Sequence, residues 1–169
     1  MEEALIKRVM PHSIEAEQSV VGAMLMDKDA ILTAAEIVSG QDFYQTAYGV
    51  IFDSMVELFN EGKPVDLVTL QERLKEKDVP PEIASLEFVR DLVSAVPTSA
   101  NVKYYAQIVA DKSLLRQIAQ AAKDITEIVS EEVGTAQSIM DAAEQKIYAI
   151  RNGRSNQDLE HIGTILLNV

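Results

Sequence analysis

Residues 101–129, NVKYYAQIVADKSLLRQIAQAAKDITEIV, contain neither proline nor glycine and repeat apolar side chains at helical spacing. The repeating positions are Val102, Tyr105, Ile108, Ile118, Ile125 and Val129. The stretch therefore predicts one helix of about 29 residues, which is long for a small globular protein. Such a helix needs a packing partner along much of its length.

The residues that follow supply a partner for this helix. Gly134 ends the long helix and Thr135 begins a new one, and Asn152-Gly153 gives a stop signal for this second helix. Between them, the apolar positions of a returning helix are Ile139, Ala143, Ile147 and Ile150. We therefore predict an αα-hairpin over residues 101–153.

Residues 154–169 form a third kind of segment, in which a polar link precedes apolar residues at steps of three, four and three. These residues are Leu159, Ile162, Leu166 and Val169. The pattern predicts an amphipathic helix. Because it has no stop signal, we expect the sequence to be a piece of a longer protein.

Residues 1–100 predict five short helices, each with its own start or stop signal. The first opens at Ser13 and stops near Asp27, and the second is ended by Ser39-Gly40. The third covers residues 46–60, Asp66 caps the fourth, and the fifth runs from Ser85 to Pro97. The expected fold is all-α: a helical globule (residues 1–100), the hairpin (101–153) and a partial linker helix (154–169).

The composition excludes several classes of function. The 169 residues include no cysteine, which removes disulfides and thiolate chemistry and fits a cytoplasmic protein. The net charge is −12, and residues 1–100 hold 8 Lys and Arg against 18 Asp and Glu. Such acidity argues against tight binding to nucleic acid and favours a basic protein partner.

No phosphate-binding or catalytic motif is recognisable. The glycines do not fall into a dinucleotide-binding pattern, and Gly62-Lys63 is followed by Pro64 where a phosphate-binding loop needs Ser or Thr. We therefore expect no catalytic, cofactor-binding or metal-binding residue in this chain.

The remaining polar and aromatic candidates have ordinary structural interpretations. His12 and His161 are expected to be exposed, while Glu15 and Glu17 are expected to serve the positive end of the first helix. The pair Tyr104-Tyr105 is more typical of core packing than of base stacking.

Four short blocks of the sequence together resemble those of a known protein family. They are residues 11–22 (PHSIEAEQSVVG), 42–44 (DFY), 64–70 (PVDLVTL) and 96–106 (VPTSANVKYYA). In order and spacing they resemble the N-terminal region of DnaB-type replicative helicases, over about residues 11–151. Two departures are Tyr48, where relatives often have histidine, and Pro80-Pro81, where many have a glycine-containing turn.

The resemblance implies a non-catalytic collar domain of a hexameric DNA helicase, in which hairpins pair between subunits and primase docks through its C-terminal helical domain. The implied subunit contacts are Ile118, Ile125, Ile139 and Ile147, and the implied primase contacts are Glu15, Phe88 and Ile125. The linker residues Leu159, Ile162, Leu166 and Val169 would pack on a neighbouring motor domain. The ATP and Mg²⁺ sites of the family belong to a separate C-terminal domain.

Other interpretations stay open at this point. The chain could be a regulatory helical adaptor unrelated to replication, or a nucleotide hydrolase or DNA-binding domain, although the missing phosphate loop and the negative charge disfavour the latter. Phe88 could be core, Ile125 could hold the hairpin together within one chain, and Glu15 could serve only the helix end.

Overall fold

The computed structural model describes residues 9–96 and 98–150, and every regular element within them is helical. The helices are α1 (Ile14–Met26), α2 (Lys28–Ala35), a 3-10 turn (Gly40–Asp42), α3 (Thr46–Asn60), α4 (Leu67–Glu76), α5 (Leu86–Ser94), α6 (Val102–Glu131) and α7 (residues 136–150). The all-α prediction is confirmed.

The chain divides into two compact units, Met1–Ser113 and Leu114–Val169. The first unit contains α1 to α5 and the beginning of α6, and the second contains the rest of α6 together with α7. The division into residues 1–100, 101–153 and 154–169 was predicted from the positions of helix-breaking residues, and it stays a prediction. Each unit is described by itself below.

Local capping interactions set most helix starts in the first unit. The side chain of Ser13 accepts a hydrogen bond from the Ala16 amide at 3.3 Å, and Ser85 accepts one from the Phe88 amide at 3.2 Å. Asp66 accepts one from the Thr69 amide at 2.9 Å. These bonds satisfy helix N–H groups that have no partner within the helix, so the three predicted starts are confirmed.

The predicted second helix is too long. Helix α2 ends at Ala35, and the buried Val38 lies in the turn after it instead of in the helix. The Asp42 carboxylate then accepts a hydrogen bond from the Ser39 amide at 2.8 Å and closes the 3-10 turn. This local bond gives the backbone an alternative to continuing the helix.

The core of the first unit is centred on α3. Its Ile51, Phe52 and Met55 are buried together with Met24 of α1 and Leu70 of α4. Fully burying each of these side chains stabilises the fold by roughly 1.5–3 kcal/mol. Helix α3 therefore packs against α1, α2 and α4, while α5 packs on α1 and α4.

The second unit is a helical hairpin, as predicted. Gly134, at φ +98°, makes the turn, and the Thr135 hydroxyl accepts a hydrogen bond from the Ser138 amide at 3.1 Å to begin α7. An ion pair between Lys146 and Asp124, 3.9 Å apart, links the two helices across the hairpin. The predicted stop at Asn152-Gly153 and the linker segment lie outside the described residues.

Candidate interaction surfaces

The hairpin exposes several large apolar side chains. Ile118 on α6 is 44% exposed and Ile147 on α7 is 43% exposed. Leu115, Val129, Met140 and Tyr148 of the same unit are also exposed. Two helices cannot cover both faces of each other, so these apolar side chains of the hairpin are exposed in the single chain.

The hairpin contains a groove, which we call the hairpin groove. It is lined by Ile125, Met140, Ala143, Ile147 and Tyr148, together with the polar residues Asp141, Glu144 and Gln145. Of the four side chains implied as subunit contacts, Ile125 and Ile147 lie together in the groove, Ile118 is exposed outside its lining, and Ile139 is half-buried. Met140 and Tyr148 were not predicted from the sequence, although Met140 lies about two helical turns before Ile147 on the same face.

The first unit contains a second distinctive site, at the buried carboxylate of Glu17. Glu17 is 1% exposed, and its two oxygens accept hydrogen bonds from the backbone amides of Tyr44 at 3.1 Å and Gln45 at 3.0 Å. Gln45 is the N-cap of α3 and makes no side-chain cap bond of its own. A side chain of α1 therefore anchors the backbone immediately before α3, and the prediction that Glu17 serves its own helix end is wrong.

The segment before α1 packs against the same loop. The His12 ring stacks on the Tyr44 ring at 4.1 Å between centroids, and His12 Nδ1 lies 2.7 Å from the Met10 carbonyl oxygen. The prediction that His12 is exposed is wrong, because the tyrosine covers one face of the imidazole. We call residues 43–45, with the stacked His12, the Tyr44 loop.

The residues implied as primase contacts are distributed over both units. Glu15 is exposed on α1, and Phe88 is half-buried on α5, where its ring stacks on Tyr48 at 6.2 Å. The Tyr48 hydroxyl accepts a hydrogen bond from Gln18 of α1 at 2.8 Å. Helices α1 and α5 thus meet through Tyr48, which fills a core position, whereas Ile125 belongs to the second unit.

The two adjacent tyrosines of α6 have different environments. Tyr105 packs against the core, whereas Tyr104 is 68% exposed. Successive residues of a helix point about 100° apart, so only one of them can face the core. The expectation of core packing is therefore wrong for Tyr104.

A network of ion pairs joins α3 to α4. Arg73, whose side chain is 12% exposed, binds Glu57 at 3.0 Å and Glu61 at 2.6 Å, and Lys77 binds Glu57 at 2.6 Å. Hydrogen bonds from Arg73 and Lys63 lower the pKa of Glu61 to about 2. Lys77, followed by Arg73, lowers the pKa of Glu57. These ion pairs give the charged residues of α3 and α4 a structural role, which is to join the two helices.

Within residues 9–96 and 98–150, no group of three His, Cys, Asp or Glu side chains is placed to hold a metal ion. Lys63, considered above as part of a phosphate loop, pairs with Glu61 at 2.8 Å. No helix in the described part of the chain is both long and apolar enough to cross a membrane.

Comparison with protein families and known sequences gives a consistent result. Residues 9–111 match the family model described as the DnaB-like helicase N terminal domain. The replicative DNA helicase DnaB of Geobacillus stearothermophilus is 36% identical over 167 residues, which cover 99% of this chain and 37% of that protein. The replicative DNA helicase DnaC of Bacillus subtilis is 32% identical, with the same coverage. The chain thus spans little more than a third of these relatives.

Solved structures agree with the sequence matches. The crystal structure of the N-terminal domain of DnaB helicase from Mycobacterium tuberculosis has 35% identity and a TM-score of 0.79, and the match covers 84% of this chain and 99% of that one. A DnaB-like replicative helicase, studied with its interactions with primase, shares the fold at a TM-score of 0.67 and 22% identity, over 82% of this chain and 31% of that one. With its described helices and the family match over residues 9–111, the chain belongs to the DnaB-like helicase N-terminal domain family.

Proposed function

We propose that this chain is the non-catalytic N-terminal collar domain of a hexameric replicative DNA helicase, mediating subunit assembly and primase docking in DNA replication. Unwinding driven by ATP and Mg²⁺ would belong to a C-terminal motor domain of the longer protein. The observation that carries the proposal is the exposed apolar face of the hairpin, with Ile118 and Ile147 each more than two-fifths exposed.

A second copy of the hairpin is the occupant that fits this face best. Exposed apolar surfaces of this kind are typical of protein interfaces. A two-fold pairing would place the same face of both copies together, so that each covers the other's isoleucines. The net charge of −12 disfavours nucleic acid as the alternative occupant.

Light scattering over a concentration series tests the assembly role. Ile147→Asp should keep the hairpin folded, because the side chain is largely exposed in the single chain, but should weaken association at least tenfold by placing a carboxylate in an apolar contact. Leu32→Asp is the matched control, since Leu32 is an exposed leucine of α2 in the other unit. If both variants keep the wild-type mass at every concentration, the assembly role must be abandoned.

Titration with the C-terminal helical domain of a cognate primase tests the docking role. The implied contacts are Glu15, Phe88 and Ile125, and Glu15→Arg is the least disruptive variant, because Glu15 is exposed. We expect it to weaken binding while leaving the thermal midpoint unchanged. A chain that assembles but never binds primase would instead fit the adaptor alternative.

A further inference from the structure

The Tyr44 loop has an exposed aromatic side chain, while its backbone is held by hydrogen bonds to a buried carboxylate. Tyr44 is 41% exposed, yet its backbone amide and that of Gln45 are both held by the buried carboxylate of Glu17. On the other side of the loop, Phe43 packs its ring against Phe52 at 5.2 Å. The loop is therefore fixed on both sides, while the tyrosine ring between these anchors faces outward.

The stacking of His12 adds a third constraint. The two rings are nearly parallel, with an interplanar angle of 11°, so one face of Tyr44 is covered and its position is set. An aromatic side chain that is ordered before binding loses little conformational entropy when a partner arrives. Exposed, pre-positioned tyrosines are frequent among the residues that dominate binding energy.

The charge around this loop indicates the kind of partner. Residues 9–62 contain nine carboxylates and a single lysine, Lys28. Glu57 and Glu61 pair with basic residues of α4 and its flanks, and Glu17 is buried, so six carboxylates of this stretch remain against one lysine. Such a surface attracts cationic protein segments and repels phosphate groups. A cationic side chain can also pack on the face of a tyrosine ring.

We propose that the Tyr44 loop is a docking point for a basic segment of a partner protein. The inference rests on the proposed function, since primase is the partner through which we would test it. It adds to that function a surface in the first unit that includes none of the implied primase contacts. Glu17 is a positioning residue in this scheme, because it acts through the loop backbone.

The experiment titrates the full chain with the C-terminal helical domain of the cognate primase and compares three variants. Tyr44→Ala should lose at least about tenfold in affinity, and Tyr44→Phe should bind like wild type, because the ring makes the contact. Tyr104→Ala, which removes a tyrosine exposed on α6, is the matched control and should stay within about twofold.

A fourth variant tests the charge without touching the tyrosine. Gln45→Lys adds a positive charge at an exposed neighbouring position and should weaken binding by about threefold or more, as should raised salt. Thermal midpoints of all variants establish that each one is folded. Because Gln45 is exposed, this variant keeps the proposal testable even if Tyr44→Ala unfolds.

The possible results distinguish a failure of the primase-docking role from a failure of the Tyr44 loop inference. Wild-type chain that fails to bind primase overturns the docking role and this inference with it. Binding that survives both Tyr44→Ala and Gln45→Lys overturns the inference alone. A loss of self-association in Tyr44→Ala, with primase binding intact, would assign the loop to contacts between copies of this chain and would also overturn it.

Discussion

Arg73 donates two hydrogen bonds to Glu61, one from Nη1 to Oε1 at 3.1 Å and one from Nη2 to Oε2 at 2.6 Å. The pair joins α4 to the end of α3 and lowers the pKa of Glu61 from its ordinary value of 4.5 to about 2. Since the folded protein binds this proton less readily than the unfolded chain, Glu61 stabilises the fold above pH 4.5.

The first prediction concerns acid stability. The contribution of Glu61 should be lost as the pH falls from 4.5 towards 2, so the difference in thermal midpoint between wild type and Glu61→Gln should be largest near neutral pH and should close in acid. Because Glu61 is at the surface, the effect is expected to be small. Glu72→Gln, which removes an exposed ion pair with Lys75, is the control. A difference that stays constant across this range would contradict the prediction.

The second prediction concerns Glu17 of α1, which anchors the backbone immediately before α3. Glu17→Ala leaves the amides of Tyr44 and Gln45 without their acceptor and should lower the free energy of unfolding by about 3 kcal/mol. Glu17→Gln keeps one acceptor oxygen and should lose less. Urea unfolding followed by circular dichroism measures both, with the exposed Glu15→Gln expected within about 0.5 kcal/mol of wild type. Equal stabilities of Glu17→Ala and wild type would refute the anchoring role.

The third prediction concerns the contact between α1 and α5. A Cβ atom added to Gly22 would lie 2.7 Å from the Leu92 carbonyl oxygen, which belongs to the backbone and cannot rotate away. Alanine gains about 1 kcal/mol in helix propensity, but overpacking of this kind costs about 1–3 kcal/mol. Gly22→Ala should therefore be destabilised in urea, whereas Ser19→Ala on the same helix should change little. A stabilised Gly22→Ala would show that the two helices can separate freely.

The fourth prediction concerns the linker segment, which lies outside the described residues. We expect Leu159, Ile162, Leu166 and Val169 to serve a neighbouring motor domain, so removing residues 154–169 should shift the thermal midpoint by no more than about 2 °C. A large loss of stability would show that the segment packs on its own domain.

The same expectation can be tested in the full-length protein, which we propose to be a hexameric helicase. There, Ile162→Asp combined with Leu166→Asp should weaken the ring and its ATP-driven unwinding, because both changes place a carboxylate on the apolar stripe. Thr164→Asp combined with Asn168→Asp adds the same charge on the opposite side of the predicted helix and should be tolerated. Equal effects of the two double variants would rule out a docking stripe.

Much of the fold was predictable because the signals that begin and end its helices are local. Ser13, Asp66 and Ser85 each accept an amide hydrogen bond from a residue three positions along the chain, so sequence spacing alone specifies the contact. The turn at Gly134-Thr135 is local in the same sense, and the hairpin follows from it. The four recognisable blocks likewise identified the family that residues 9–111 match.

The sites depended on contacts that no local pattern encodes. Glu17 reaches amides 27 and 28 positions away, and a carboxylate near a helix start reads the same whether it is solvated or buried. Tyr104 and Tyr105 are identical in type, and only the packing of α6 determines that the second is covered and the first exposed. Sequence thus determined where most of the helices begin, because those interactions span a single turn. Tertiary structure decided which polar groups are buried and which apolar faces stay open, because burial depends on what the rest of the chain covers.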